Sequence, residues 1–123
     1  MLTLPPSVHV YVAAEPTDLR KSFDGLSAMV TARFGADPLC GHLFVFRNRR
    51  GDQIRILFWD RTGYCILGKK LAQGRFHLTR PIAAGATHVV VEAAELSLML
   101  EGLDLSQAKK RKRWRPPQEK IAA

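Results

Sequence analysis

Six cations and one indole fall within seven residues at Lys109, Lys110, Arg111, Lys112, Arg113, Trp114 and Arg115. A flexible arm of this composition can follow a phosphate backbone by displacing counterions while Trp114 stacks on an exposed base or sugar. A solvated basic tail or a nuclear localisation signal has the same composition. A second set of cations, Arg47, Arg49, Arg50, Arg55, Arg61, Lys69, Lys70 and Arg75, is spread through apolar, alternating sequence. Arginine suits phosphate because its planar fork holds two oxygens at once, whereas lysine acts nearer to a point charge. The types and spacing therefore point to binding of a polyanion.

Constellations for catalysis are poorer. Asp18, Asp24, Asp52 and Asp60 could supply a carboxylate pair for magnesium-dependent phosphodiester chemistry, but helix-cap and turn positions account for them. The chain contains no P-loop, no G-x-S-x-G and no H-E-x-x-H. Cys40-Gly41-His42 with Cys65 or His77 has metal-ligating types, yet a single C-x-H is a weak ligand spacing. No cofactor, no metal and no catalytic residue is expected.

The whole chain has 123 residues, 46% of them hydrophobic, and a net charge of +8. That length suits one compact domain and excludes a large multi-domain enzyme. Residues 47–80 hold nine basic against two acidic side chains, residues 81–105 none against four, and residues 106–123 seven against one. Two positive blocks thus flank a negative one, as expected of local binding surfaces. No apolar run approaches the roughly 18 to 20 residues that span a bilayer, and residues 1–7 lack a signal-peptide pattern. Cys40 and Cys65 have no C-x-x-C spacing, so a reduced, cytoplasmic protein without a membrane partner is expected.

The elements that must position these groups follow from periodicity. Val8 to Val12 alternates as a first strand. Leu19, Phe23, Leu26, Val30 and Phe34 recur at helical spacing behind a cap at Thr17 or Asp18, with Gly35 suited to the left-handed end. From Gly41 the period becomes two, giving strands at His42–Asn48, Asp52–Asp60 and Tyr64–Lys70, a β-meander. Asn48-Arg49-Arg50-Gly51 and Asp60-Arg61-Thr62-Gly63 each fit a three-residue hairpin loop with a left-handed Gly. That register places Phe46 opposite Ile54, Phe44 opposite Ile56 and Phe58 opposite Ile66 on one buried face, and sets Arg55 opposite Lys69 beside Arg47 on the other. A short strand at Arg75–Leu78, another at His88–Val91 and a helix over Ala93–Gly102 complete the pattern.

Several of these segments resemble the TnpB accessory proteins of insertion-sequence-66 transposons. They are Pro16-Thr17-Asp18-Leu19-Arg20-Lys21, Asp24-Gly25-Leu26, Gly41 to Asp52, Phe58-Trp59-Asp60-Arg61, Lys69-Lys70-Leu71, Gly74-Arg75-Phe76 and Leu100 to Asp104. The resemblance runs from about Val8 to Leu105. It implies a bacterial mobile-element protein that assists a separate transposase and stands beside a second small accessory protein. It implies nothing of the larger RNA-guided nuclease that shares the name. Leu67 and Gly68 stand where the family commonly has bulky or aromatic residues, so no stacking role is assigned there.

The fold expected is α+β: a single domain over residues 1–105 with an antiparallel meander sheet and two helices packing largely on its apolar face, then a basic, flexible tail over residues 106–123. The function expected is non-catalytic DNA binding, at element ends, through the basic sheet face, its turns and the tail. One alternative is a protein-interaction module that docks the transposase or the second accessory protein. A third is a metal-dependent nuclease. The sequence sets no oligomeric state.

Overall fold

The computed structural model describes residues 7–78 and 80–102. Its elements are β1 (Val10–Ala13), α1 (Phe23–Met29) continued by a π-helical segment (Val30–Phe34), β2 (Leu43–Arg47), β3 (Gln53–Trp59), β4 (Tyr64–Lys70), β5 (His88–Val91) and α2 (Ala93–Glu101). The five strands form one sheet in the order β4-β3-β2-β1-β5, giving an α+β fold. The meander is antiparallel as expected, and β5 runs antiparallel to β1. Only β1 and β2 are parallel, because the α1 crossover between them returns the chain to the end at which β1 began.

Local chemistry sets the helix boundaries. Helix α1 starts at Ser22, later than a cap at Thr17 or Asp18 would put it, and Asp18 instead closes a turn on Arg20. Leu26, Val30 and Phe34 are buried as their spacing requires, whereas Phe23 is 44% exposed. Gly35 ends the segment at φ 62°, the left-handed role expected of it. Gly25 stands inside α1 where a Cβ would lie 3.1 Å from Cβ of Lys21. Helix α2 begins with a capping box, Glu92 and Glu95 each bonding the other's backbone, and ends on left-handed Gly102. The Arg75–Leu78 segment is irregular rather than a strand.

Register is where the structure departs most from expectation. Phe44 faces Leu57, Phe46 faces Arg55, and Arg47 faces Ile54. In the second hairpin Arg55 faces Gly68, Ile54 faces Lys69, and Gln53 faces Lys70. Each pairing is one residue away from the three-residue-loop register. The first connection has four residues between Asn48 and Gln53, whose backbone groups bond at 3.1 Å. In the second, the left-handed residue is Arg61, at φ 85°, rather than Gly63.

A slip of one residue turns every side chain of a strand to the other face of its partner's pairing. Val45, Ile54 and Ile56 therefore share a core with Val10, Val12, Leu96, Met99 and Leu100 of the α2 side. Phe44, Phe46 and Leu57 join Leu26, Val30 and Phe34 of the α1 side. The two helices cover opposite faces, which corrects the expectation of one apolar face. It also explains why the strands carry apolar residues on both sides: β2 reads Leu-Phe-Val-Phe with all four buried.

The β2–β3 connection needs Gly51, which is buried at φ 77°. Replacing it by Ala places a Cβ in the left-handed region and should destabilise the chain by about 1–2 kcal/mol in a denaturant titration. An unchanged midpoint would contradict this geometry.

Candidate nucleic-acid interface

The eight cations expected on one sheet face and its rims divide into three groups. Arg47 and Lys69 lie on the α2 side of the sheet and are spent internally. Arg47 Nη2 donates to the Ala14 carbonyl at 3.1 Å, tying β2 to the exit of β1. Lys69 Nζ donates to the Leu100 carbonyl at 2.6 Å, at the negative end of α2. Arg55, facing Gly68, is on the α1 side, so it does not meet Lys69 as expected. Arg61 sits at the opposite end of β3, about 20 Å of strand away from the Arg49–Arg50 turn.

Arg55 and the remaining four, Arg49, Arg50, Lys70 and Arg75, converge. Asn48 builds the turn that carries Arg49 and Arg50: its Oδ1 accepts the N–H groups of Gly51 and Gln53 at 2.9 and 3.0 Å, and its Nδ2 donates to Asp52 at 2.8 Å. The chain beyond β4 pins the same turn. Leu71 N–H donates to the Asp52 carbonyl and Phe76 N–H to the Gly51 carbonyl, both at 2.8 Å. This return lays the methylene stem of Arg75 over Gly51, about 3.6 Å from where a Cβ would stand. Lys70 faces Gln53 beside the turn, and Arg55 lies diagonally from Lys70 on the same sheet face. Gly68 leaves the space next to Arg55 open, since a Cβ there would meet only a backbone oxygen at 3.8 Å.

Among the described residues the side chains of Arg49, Arg50, Arg55, Lys70 and Arg75 make no hydrogen bond and no ion pair. Asp52 is the carboxylate that stands beside them. Its pKa is lowered by the Asn48 hydrogen bond and by the charges of Arg50 and Lys70, so it stays ionised. Elsewhere Arg20 holds Asp18 at Oδ1 and Oδ2, 3.0 and 2.8 Å away, Arg33 reaches Glu15, and Arg80 makes a fork with Glu95. Five unpaired cations are thus gathered at one end of the sheet.

Thr17 and Asp18 complete this end. Thr17 N–H donates to the Arg47 carbonyl at 2.8 Å, bringing residues 16–19 beside Asn48, Arg49 and Arg50 around a notch of about 360 Å³. By residue type alone Thr17 and Asp18 suit a helix cap and Asn48 a turn. The Asn-x-x-Gly spacing marks that turn, but no local signal marks a contact between residues 17 and 47.

Other candidate groups lie apart. Trp59 packs edge-on against Tyr64 at the Arg61 end of β3. His42 Nδ1 accepts the His9 N–H at 3.0 Å, and no three of His, Cys, Asp and Glu among the described residues converge to hold a metal ion. No helix among the described residues is long and apolar enough to cross a membrane. Lys109, Lys110, Arg111, Lys112, Arg113, Trp114 and Arg115, with the expected boundary at residue 105, lie outside the described residues.

The family model for the IS66 Orf2-like protein, TnpB, matches residues 8–110, from β1 through both hairpins and α2. The chain belongs to this family. IS66 TnpB proteins serve insertion-sequence transposition as accessory proteins. Two similar proteins come from Sinorhizobium fredii (strain NBRC 101917 / NGR234). The uncharacterized protein y4jC is 38% identical over 109 residues, covering 89% of this chain and 91% of its own. The uncharacterized protein y4hO is 36% identical over 119 residues, covering 97% and 93%. No solved structure matches the chain.

Two measurements check the local chemistry of this TnpB protein. Asp60 accepts the Thr62 N–H and hydroxyl, the Cys65 thiol and the Gly63 N–H, which lower its pKa from 3.8 to about 2. A carboxylate depressed in the folded state stabilises above its unfolded pKa, and that contribution is lost as pH falls from about 4 through about 2. Asp60→Asn should therefore flatten the loss of stability in that window. Thr17→Val should fold with equal or greater stability, because the Thr17 hydroxyl is buried without a partner among the described residues and its removal ends that cost. A Thr17→Val protein destabilised by loss of a hydrogen bond would refute the assignment.

Proposed function

We propose that this TnpB protein assists transposition by binding DNA through phosphate contacts, without catalysing strand chemistry itself. The carrying observation is the convergence of Arg49, Arg50, Arg55, Lys70 and Arg75 at one end of the sheet with no ion pair among the described residues. Like charges so crowded repel, and a phosphodiester backbone removes that repulsion while releasing its own counterions. The Asn48 network and the two backbone bonds from Leu71 and Phe76 hold the turn in one shape, which lowers the entropy given up on binding.

Phosphate contacts of this kind give affinity and registration but little base readout. The choice of element ends then falls to the cognate transposase, with which TnpB and the second accessory protein would act. Residues 109–115, by their composition, would add cationic contacts to phosphate and a Trp114 that can stack on an exposed base. Arg61, at the far end of β3, is an independent contact, whereas Arg47 and Lys69 belong to the scaffold. The protein acts in the bacterial cytoplasm, where the element's DNA lies.

Fluorescence anisotropy of the full chain with element-end and unrelated duplexes tests this reading. Affinity should fall by orders of magnitude between roughly 50 and 200 mM salt, and Arg49→Ala/Arg50→Ala/Lys70→Ala should reduce the salt slope by roughly 0.9 for each phosphate no longer neutralised. Affinity unchanged by the triple variant and by deletion after Ser106 would overturn DNA binding. Magnesium-dependent cleavage that disappears in Asp52→Asn would overturn the non-catalytic part.

A further inference from the structure

The notch beside the cationic turn has features that an open phosphate surface does not require. It is concave, about 360 Å³, and walled by residues 16–19 on one side and residues 48–50 on the other. The Thr17 N–H to Arg47 carbonyl bond and the Asn48 network hold the two walls at a set separation. Arg49 and Arg50, neither ion-paired among the described residues, line one wall. Asp18 on the other is already held by Arg20 through both carboxylate oxygens, so it does not neutralise them. Thr17, only 7% exposed, lines the same notch, and its hydroxyl lacks a partner among the described residues. A buried hydroxyl left unsatisfied is costly, which points to a polar ligand.

We propose that this notch seats the terminal 5′-phosphate of a DNA strand, Arg49 and Arg50 holding its oxygens and the Thr17 hydroxyl donating to it. This deepens the phosphate-binding reading above and rests on it. A duplex backbone that runs through is a convex ridge and meets the exposed cations of Lys70 and Arg75 and the half-buried Arg55 beside them. A strand end can enter a concavity, and its phosphate carries close to two charges rather than one. Two neighbouring guanidinium groups match a doubly charged group better than a phosphodiester. The ligand source is a strand terminus, the structure that an excised or nicked element exposes, rather than a free nucleotide. A free nucleotide would lack the flanking phosphates that Lys70 and Arg75 can reach.

The test uses the full chain and two short duplexes that differ only in a 5′-phosphate or 5′-hydroxyl at one end, with deoxynucleoside 5′-monophosphate as a third ligand. The phosphorylated end should bind about tenfold tighter, the size expected of hydrogen bonds to a charged group. Thr17→Val, which removes the hydroxyl without threatening the fold, should erase most of that preference while leaving salt-dependent binding of the hydroxyl duplex, whereas Arg50→Ala should lose the preference together with part of the salt-dependent binding. Equal affinity for the two ends, with salt-dependent binding intact, overturns the notch and leaves the phosphate surface standing. Loss of salt-dependent binding to either duplex overturns both. Tight binding of the monophosphate with no preference between the duplexes assigns the notch to a free nucleotide and overturns the strand end.

Discussion

Side chains on a strand alternate between faces, so the length of the β2–β3 connection decides what each guanidinium group meets. Four residues rather than three lie between Asn48 and Gln53, and this parity aligns Arg47 with Ile54 and Phe46 with Arg55. Arg47 thereby joins the α2 side, where it becomes a strut to Ala14. Arg55 joins the α1 side, facing a glycine. One residue fewer would turn β3 over relative to β2, put Arg55 on the same face as Arg47 and mismatch the apolar side chains that α1 and α2 cover.

The turn that sets this parity is also the centre of the cationic surface. Asn48 spends its amide on Gly51, Gln53 and Asp52, which leaves Arg49 and Arg50 to project without being needed for the fold. Gly51 supplies the left-handed conformation and an uncovered backbone on which the Arg75 stem can lie. The same few atoms that terminate two strands thus gather charges from three stretches of chain. Scaffold and surface are separated residue by residue: Arg47 and Lys69 hold elements together, while Arg49, Arg50, Lys70 and Arg75 are left free.

This separation suits an accessory role. The DNA-binding role proposed for the protein would need rigid phosphate contacts and a surface that does not consume its own cations. Carboxylates paired with other cations meet that need: Asp18 with Arg20, Glu15 with Arg33 and Glu95 with Arg80. Asp52 stands within the cluster, where it moderates the repulsion of Arg50 and Lys70.

By itself the sequence determined the order of the five strands and two helices, the β-meander, the left-handed helix end at Gly35 and the identity of the basic stretches, because periodicity and glycine positions act over a few neighbours. Tyr64–Lys70 and His88–Val91 were legible to the residue, and the TnpB resemblance rested on motifs in chain order. Tertiary structure decided which cations are surface and which are struts. That depended on a one-residue difference in loop length, on α1 and α2 taking opposite faces, and on Thr17 reaching Arg47 across thirty positions of chain. Strand composition concealed the opposite faces, since a sheet buried on both sides shows apolar residues at nearly every position and loses the alternation that would report its register.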